Sequence, residues 1–268
     1  MEKEILYDQN SIIIVAALFG LILLANEAGY RLGHYFQVRT DVDVKAHTNT
    51  IQAGTLGLLA LILGFTFNMA LQRYNNRSQA VIKEASAIGT VLLRTKLLPH
   101  PYDSLTYSQL QQYVNLRIAV SKTAYARVSE QELLNEETRK LQSDIWINAV
   151  RAARIDPRQV TTGYYIEALN SMIDAQGESN ALLMLHVPEV ILFLLFIVFI
   201  MSGALVGYAS GLGKKRSSIP ALLMTFLICL VVFIIIDLDR PKRGIIKVNQ
   251  DSMMQLKNFY TADKPWKM

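Results

Sequence analysis

The sequence predicts an all-α membrane protein with four transmembrane helices and a helical extramembrane domain. Three observations carry that fold class. Four stretches, residues 9–26, 48–72, 190–213 and 217–236, hold no charged residue over 18 or more positions. A bilayer core of ~30 Å is crossed by about twenty mostly apolar residues, each rising ~1.5 Å along a helix. The stretches are grouped two and two, with the 117 residues 73–189 between the pairs. No stretch alternates apolar and polar residues as a strand would. At 51% hydrophobic and 18% charged, the chain is too polar to be all membrane and too apolar to be an ordinary soluble domain.

The expected organisation is a first transmembrane helix pair over residues 1–72 and a helical extramembrane domain over 73–189. A second pair follows over 190–238, and a tail over 239–268 packs on the extramembrane domain. The N-terminus is net acidic and its apolar run ends without a small-x-small cleavage site, so the first span is expected to be retained rather than removed as a signal peptide. The second span has no stop signal at its end. Gln72 runs on through Arg73, Ala80 and Glu84 to Leu98, and only Pro99 and Pro101 break the helix. A helix over about residues 51–98 would measure ~70 Å, so it is expected to project well out of the membrane.

After the prolines, Asp103 or Ser104 can cap a helix to about Val128. Ser129-Glu-Gln-Glu132 has the form of a capping box for another, to about Arg154. Leu133, Leu134, Leu141, Ile145 and Val150 fall near helical spacing, and Trp146, with Tyr113 and Tyr125, is expected in the domain core. Asp156-Pro157 separates that helix from one over about residues 159–185, which meets the third span at His186-Val187-Pro188. Spans three and four form an antiparallel hairpin about the turn 210–218, with Pro220 at a first-turn position. The tail leaves the last helix at Arg240-Pro241 and is expected to pack back through Ile245, Ile246 and Val248.

The second span is the most informative segment. Gly54, Gly57, Leu61, Phe65, Asn68 and Gln72 follow one another at intervals of three or four, so they line one helical stripe with small residues at one end and amides at the other. One reading is close helix packing on the glycines, with Asn68 bonded to a neighbouring span. The other is a pore wall, with Leu61 and Phe65 as an apolar constriction and Asn68 and Gln72 as a polar mouth. Arg73 and Arg77, four apart on one face, emerge by topology on the same side as Asp237, Asp239 and Arg240. They are expected either as interhelix ion pairs or as a basic ring at a pore mouth. Glu27 and Arg31, one turn apart, form a structural pair or face a vestibule.

Leu63-Gly64-Phe65, followed eight residues after the Phe by Arg73-Tyr74, resembles the second transmembrane helix of bestrophins. The similarity is closer to a bacterial bestrophin-like family, and its motifs here are Leu63-Gly-Phe-Thr-Phe67, Arg73-Tyr-Asn-Asn-Arg77, Glu84-Ala-Ser-Ala-Ile-Gly-Thr90, Asp237-Leu-Asp-Arg-Pro241 and Glu27-Ala-Gly-Tyr-Arg-Leu-Gly33. The resemblance implies a homo-oligomer, a pentamer about a central pore formed by the second helix. It also implies a neck of three apolar residues spaced by four, at Gly57, Leu61 and Phe65. Gly57 departs from that pattern because it has no side chain to close a ring. The acidic cluster of calcium-responsive bestrophins is also altered, since Asp237 and Asp239 are followed at once by Arg240, Lys242 and Arg243.

The net charge of +5 comes largely from clusters beside the spans, which fits phosphate headgroups better than a nucleic-acid face. No basic patch is interleaved with stacking aromatics, so nucleic acid is not an expected partner. The single cysteine, Cys229, allows no intramolecular disulfide. His34, His47, His100 and His186 have no ligand spacing, and residues 207–215 depart from a phosphate loop at both ends. No cofactor, metal or catalytic constellation is expected.

The expected partners are membrane lipids, further copies of the chain and small ions. The expected function is an oligomeric ion channel of the bacterial inner membrane with anions favoured, and the alternative is a non-conducting membrane scaffold or partner-binding protein. Eight Lys and Arg lie near the membrane on the side of the large domain and both termini: Lys3, Arg73, Arg77, Lys83, Arg240, Lys242, Arg243 and Lys247. Arg31, Arg39, Lys45, Lys214, Lys215 and Arg216 make six on the other side, which favours a cytoplasmic large domain.

Overall fold

The computed structural model describes residues 9–38, 40–123, 128–213, 218–241 and 244–262. Arg39, Tyr125, the basic turn Lys214-Lys215-Arg216, Lys3 and Lys242 with Arg243 lie outside the described residues. The helices in chain order are α1 (Ser11–Phe36), α2 (Val42–Arg94), α3 (Tyr102–Lys122), α4 (Val128–Ile155), α5 (Tyr164–Met184), α6 (Glu189–Leu212), α7 (Ser218–Asp239) and α8 (Asp251–Ala262). Among the described residues there is no strand. Among the described residues four helical stretches are long and apolar enough to cross a membrane, and each contains one of the four charge-free runs of the sequence save at most two of its end residues.

The chain divides into two compact units. One is Met1–Arg73, His186–Arg240 and Gly244–Ile246, and the other is Tyr74–Leu185, Pro241–Arg243 and Lys247–Met268.

In the first unit α1 begins where the Asn10 side chain accepts a hydrogen bond from the Ile12 amide at 2.9 Å, and it continues past its charge-free run to Phe36. That extension packs on α6 through glycine. A Cβ on Gly207 would lie 2.0 Å from the Asn26 carbonyl oxygen, and one on Gly211 would lie 2.3 Å from that of Tyr30. Reciprocally, a Cβ on Gly29 would meet the Ala204 oxygen at 2.0 Å, and one on Gly33 the Tyr208 oxygen at 2.2 Å. Two four-residue ladders of small residues therefore interlock backbone to backbone. Between membrane helices this is the close approach that dispersion rewards, since lipid supplies no hydrophobic driving force. Asn26 adds a side-chain bond to the Gly203 carbonyl at 3.2 Å. Ile14, Leu18, Leu59, Leu195, Phe199, Cys229, Val232 and Ile236 form the apolar core that joins α1, α2, α6 and α7.

α2 begins at Val42, nine residues ahead of the expected start. Its polar opening is held by hydroxyls that bond back one turn, Thr48 to Val44, Thr50 to Ala46 and Thr55 to Ile51. It runs unbroken to Arg94, passes into the short 3-10 turn Thr95–Leu97, and stops at extended Leu98 ahead of Pro99.

The second unit is built around Val81, Ala85, Ile88 and Leu92 of α2 with Leu110, Tyr113, Ile145, Leu169 and Met172. α3 starts at Tyr102, so Asp103 lies in its first turn and Ser104 donates to the Pro101 carbonyl, and neither residue caps an amide. The side chain of Ser129, on which the expected capping box depends, lies outside the described residues. On α4 the buried stripe is Thr138, Ile145, Asn148, Ala149 and Ala152, whereas Leu133 is 61% exposed and Trp146 and Val150 are also exposed. Tyr113 and Tyr165 are buried in the same core as Ile145, Ala149 and Ala152. Asp156 opens the next segment. It accepts from the Arg158 amide and guanidinium and, at 2.7 Å, from the Thr161 hydroxyl, and these bonds hold its carboxyl well below the usual range.

The tail differs from expectation in two ways. Ile245 is 79% exposed, because it is the amides of Ile245 and Ile246 that anchor this stretch rather than their side chains. Beyond it lies α8, opened by the Asn249 side chain accepting from the Asp251 amide at 2.7 Å. Met253 and Tyr260 are buried in the second core, and Tyr260 donates to the Gly89 carbonyl at 3.2 Å.

The glycines in the apolar span of α2 are of another kind. A Cβ on Gly54, Gly57 or Gly64 would meet nothing within 4 Å. Replacing Gly207 with Val should therefore separate α1 from α6, at a cost of at least the ~1–3 kcal/mol typical of overpacked cores. Gly54→Ala should leave the bundle intact. Thermal unfolding of the detergent-purified variants tests the contrast.

Candidate functional site: the open face of α2 and the charged clamps

Within the first unit, α2 buries one face and leaves the other uncovered. Leu59, Thr66 and Ala70 are buried. On the opposite side Gly54, Gly57, Leu61, Phe65, Asn68 and Gln72 are all exposed, with Leu61 at 56% and Phe65 at 65%. The six residues are thus brought onto a single open stripe, and no other described segment of the chain covers it. Asn68 and Gln72 make no hydrogen bond with any described residue, so the spans of the same chain do not supply the partner that close intramolecular packing would offer them.

The charged residues have separate fates. Arg77 is 2% exposed, and its guanidinium donates to the carbonyls of Leu182, at 3.1 Å, and Leu185, at the C-terminal end of α5. These are carbonyls that a helix leaves without intrahelical partners, and a cation is the favourable group at that end. Arg77 is therefore a helix-end clamp turned into the second unit. Arg73 is half-buried, and its Nε has no hydrogen-bond partner among the described residues.

Asp237 is buried at the end of α7 and accepts from the amides of Ile245 at 3.0 Å and Ile246 at 2.7 Å. Gly244 is required at that turn, since a Cβ there would lie 2.8 Å from the Asp237 carbonyl oxygen. Asp239 accepts from the Val187 amide at 2.7 Å, just before α6 begins, and His186 lies within 3.9 Å of the same carboxylate. Arg240 donates to the Ser11 hydroxyl at 2.9 Å, at the first turn of α1. The Asp237-Leu-Asp-Arg motif thus ties together three points in the first unit where the chain enters or leaves a helix. Glu27 and Arg31 form an exposed pair at 2.9 Å. His34 stacks on Tyr30 with ring centroids 6.0 Å apart.

One further constellation, not singled out from the sequence, lies in the second unit. Glu84 is 1% exposed and is held bidentately by Arg117, which donates through Nε and, at 3.0 Å, through Nη2. Burial works to lower the Arg117 pKa, but the hydrogen bond and charge of Glu84 outweigh it and the net shift is upward. Glu84 opens the motif that ends at Thr90, and its Ala85 and Ile88 are buried in the same core. That motif therefore serves packing and charge pairing. Its acid was visible in the sequence, whereas its partner 33 residues away was not.

An all-helical bundle of four apolar helices joined to a helical unit by an unbroken second helix defines a membrane protein of the bestrophin fold. The structure is similar to the crystal structure of a mutant bacterial bestrophin homologue from Klebsiella pneumoniae. The TM-score is 0.60 at 14% sequence identity, over 93% of this chain and 100% of that one. The sequence matches the bestrophin-like domain over residues 19–253, and the chain belongs to the bestrophin-like family. No curated protein matches it significantly in sequence. Family membership supports an ion-channel kind of function.

Replacing Glu84 with Gln should leave the Arg117 charge buried without its counter-ion and destabilise the protein by about 3–5 kcal/mol. Leu at both positions should recover much of that loss. Denaturant unfolding of the single and double variants reads the difference.

Proposed function

We propose that the protein is an oligomeric, anion-favouring ion channel of the bacterial inner membrane, with the open stripe of α2 as its pore wall. The single observation that carries this reading is that stripe. Two amides, three apolar or glycine positions and an aromatic ring lie on one face of a membrane helix that no other described segment covers. Amides facing lipid are costly, whereas amides facing a water-filled axis are not. Leu61 and Phe65 form the constriction, which excludes water because it is narrow and apolar. Gly57 contributes no ring, so the neck has two apolar layers. Asn68 and Gln72 form the wider polar mouth.

Arg73 stands one residue beyond Gln72 and favours anions there. Arg77 does not contribute to the mouth, because its guanidinium is engaged at the end of α5. A homo-oligomer, five-fold by the resemblance to bestrophins, supplies the copies that close the ring. We place the helical domain and both termini in the cytoplasm on the balance of Lys and Arg beside the spans.

Native mass measurement on detergent-purified protein is expected to give a closed oligomer, and monomers alone would remove the pore reading. In proteoliposomes Phe65→Ala should raise flux, because the barrier of a hydrophobic gate falls steeply as it widens and wets. No flux from either wild type or Phe65→Ala, in protein shown to be assembled, would favour a non-conducting scaffold that uses the same stripe to hold its copies together.

The two arginines separate in the same assay. Arg73→Gln should lower anion preference with little change in stability. Arg77→Gln should chiefly destabilise the protein, by roughly 1–3 kcal/mol for each carbonyl left without its donor. Equal selectivity effects from both would contradict the assignment.

A further inference from the structure

A cavity of about 330 Å³ lies within the second unit, bordered by α2, α3, α5 and the segment that leads into α8. Four cationic side chains line it, Arg77, Arg117, Lys122 and Lys247, against one carboxylate, Glu84. That carboxylate is already engaged by Nε and Nη2 of Arg117, and the first of the four cations is engaged by helix-end carbonyls. What remains is cationic and unanswered. The Nη1 of Arg117, on a side chain only 7% exposed, has no hydrogen-bond partner among the described residues. Lys122 and Lys247 are exposed and form no ion pair with a described residue.

A buried guanidinium N–H is among the most costly groups to leave without an acceptor, so the arrangement points to an oxyanion. Phosphate fits several converging donors better than a halide does, since its oxygens can accept from Arg and Lys at once. The volume is about ten times the ~30 Å³ share of one water molecule, which leaves room for more than the anion. Val81, Leu183 and Met253 supply an apolar wall for the remainder.

We propose that this cavity binds a phosphomonoester, its phosphate held by Arg117 Nη1, Lys122 and Lys247 and its apolar part set against Val81, Leu183 and Met253. Because the lining comes from both α2 and the C-terminal segment, occupancy fastens that segment to the rest of its unit. The site does not depend on a pore, so a failed flux assay would leave it standing.

Thermal unfolding of the full detergent-purified chain, titrated with phenyl phosphate at constant ionic strength, tests it. A saturable rise in Tm is expected, stronger than with inorganic phosphate and absent with matched sodium chloride. Lys122→Gln combined with Lys247→Gln, both exposed positions, should unfold like the wild type without phenyl phosphate and should raise its half-saturating concentration at least about tenfold. Nanodiscs with and without phosphatidate distinguish the source of the group. Competition between phosphatidate and phenyl phosphate identifies a lipid headgroup, and saturation by phenyl phosphate without such competition identifies a soluble ligand. No saturable stabilisation by phenyl phosphate or phosphatidate, or one unchanged in the double variant, would overturn the proposal.

Discussion

The requirement that a polar group removed from water must find a partner orders each unit of this protein. In the first unit three of the places where the chain leaves or enters a helix are closed by one short run of sequence. Asp237 takes the amides of the returning tail, Asp239 takes the Val187 amide before α6, and Arg240 reaches Ser11 at the start of α1. A carboxylate accepts two amides at once, which suits it to a turn where two donors converge. In the second unit the same requirement places Arg77 on the last carbonyls of α5 and pairs Glu84 with Arg117. Charges that read as pore or gating elements in a linear sequence are thus largely occupied with backbone, and that leaves Arg73 as the basic group on α2 to weigh for function.

Glycine separates the two kinds of surface on the spans. At Gly29 and Gly33 of α1 and Gly207 and Gly211 of α6 it is present because a neighbouring backbone occupies the place of a Cβ, and those contacts fix the spacing of the two helices. At Gly54, Gly57 and Gly64 of α2 it is present where the described residues offer nothing to fill the space. A helix interior loses ~0.5–1 kcal/mol for each Gly in place of Ala, so open glycines on a span need a reason that lies outside the single chain. An approach by another copy, or a lumen that must stay wide at Gly57, would each supply one.

Much of the architecture was legible in the sequence because its signals are long. Charge-free runs of 18 residues or more admit few structures, and α2 stays helical as far as Arg94 because no proline interrupts it before Pro99. Signals that depend on a distant partner were not legible. The ladder Gly203, Gly207, Gly211 stands at four-residue spacing, but nothing local says that it meets Asn26 and Tyr30 of another helix. Trp146 reads as core by its size, yet the stripe that α4 buries runs through Ile145, Ala149 and Ala152 and leaves Trp146 beside it exposed. α8 was missed because Met253, Leu256 and Tyr260 make a short stripe among polar residues, and only the Asn249 cap marks its start. Of the candidate site, the stripe on α2 could be read from spacing alone, since a regular helix fixes which residues share a face. The partners of Arg77 and Asp237 are backbone atoms, which carry no sequence signature.

The composition of the α2 stripe narrows what can surround it. Lipid suits Leu61 and Phe65 but not Asn68 and Gln72, and bulk water suits the amides but not the exposed ring and leucine. Another protein's apolar helix would cover the centre and leave the amides unanswered. A narrow axis shared by identical copies answers all of them at once. On such an axis the apolar rings would meet their own equivalents at a constriction, the amides would face water where the axis widens, and the glycines would let the helices approach or the lumen open on the other side. A change from amide to leucine at Asn68 would then remove the wet end of the stripe without touching any contact inside the chain. Its effect on conduction would be independent of its effect on the protomer's stability, a separation that a lipid-facing or partner-covered stripe would not produce.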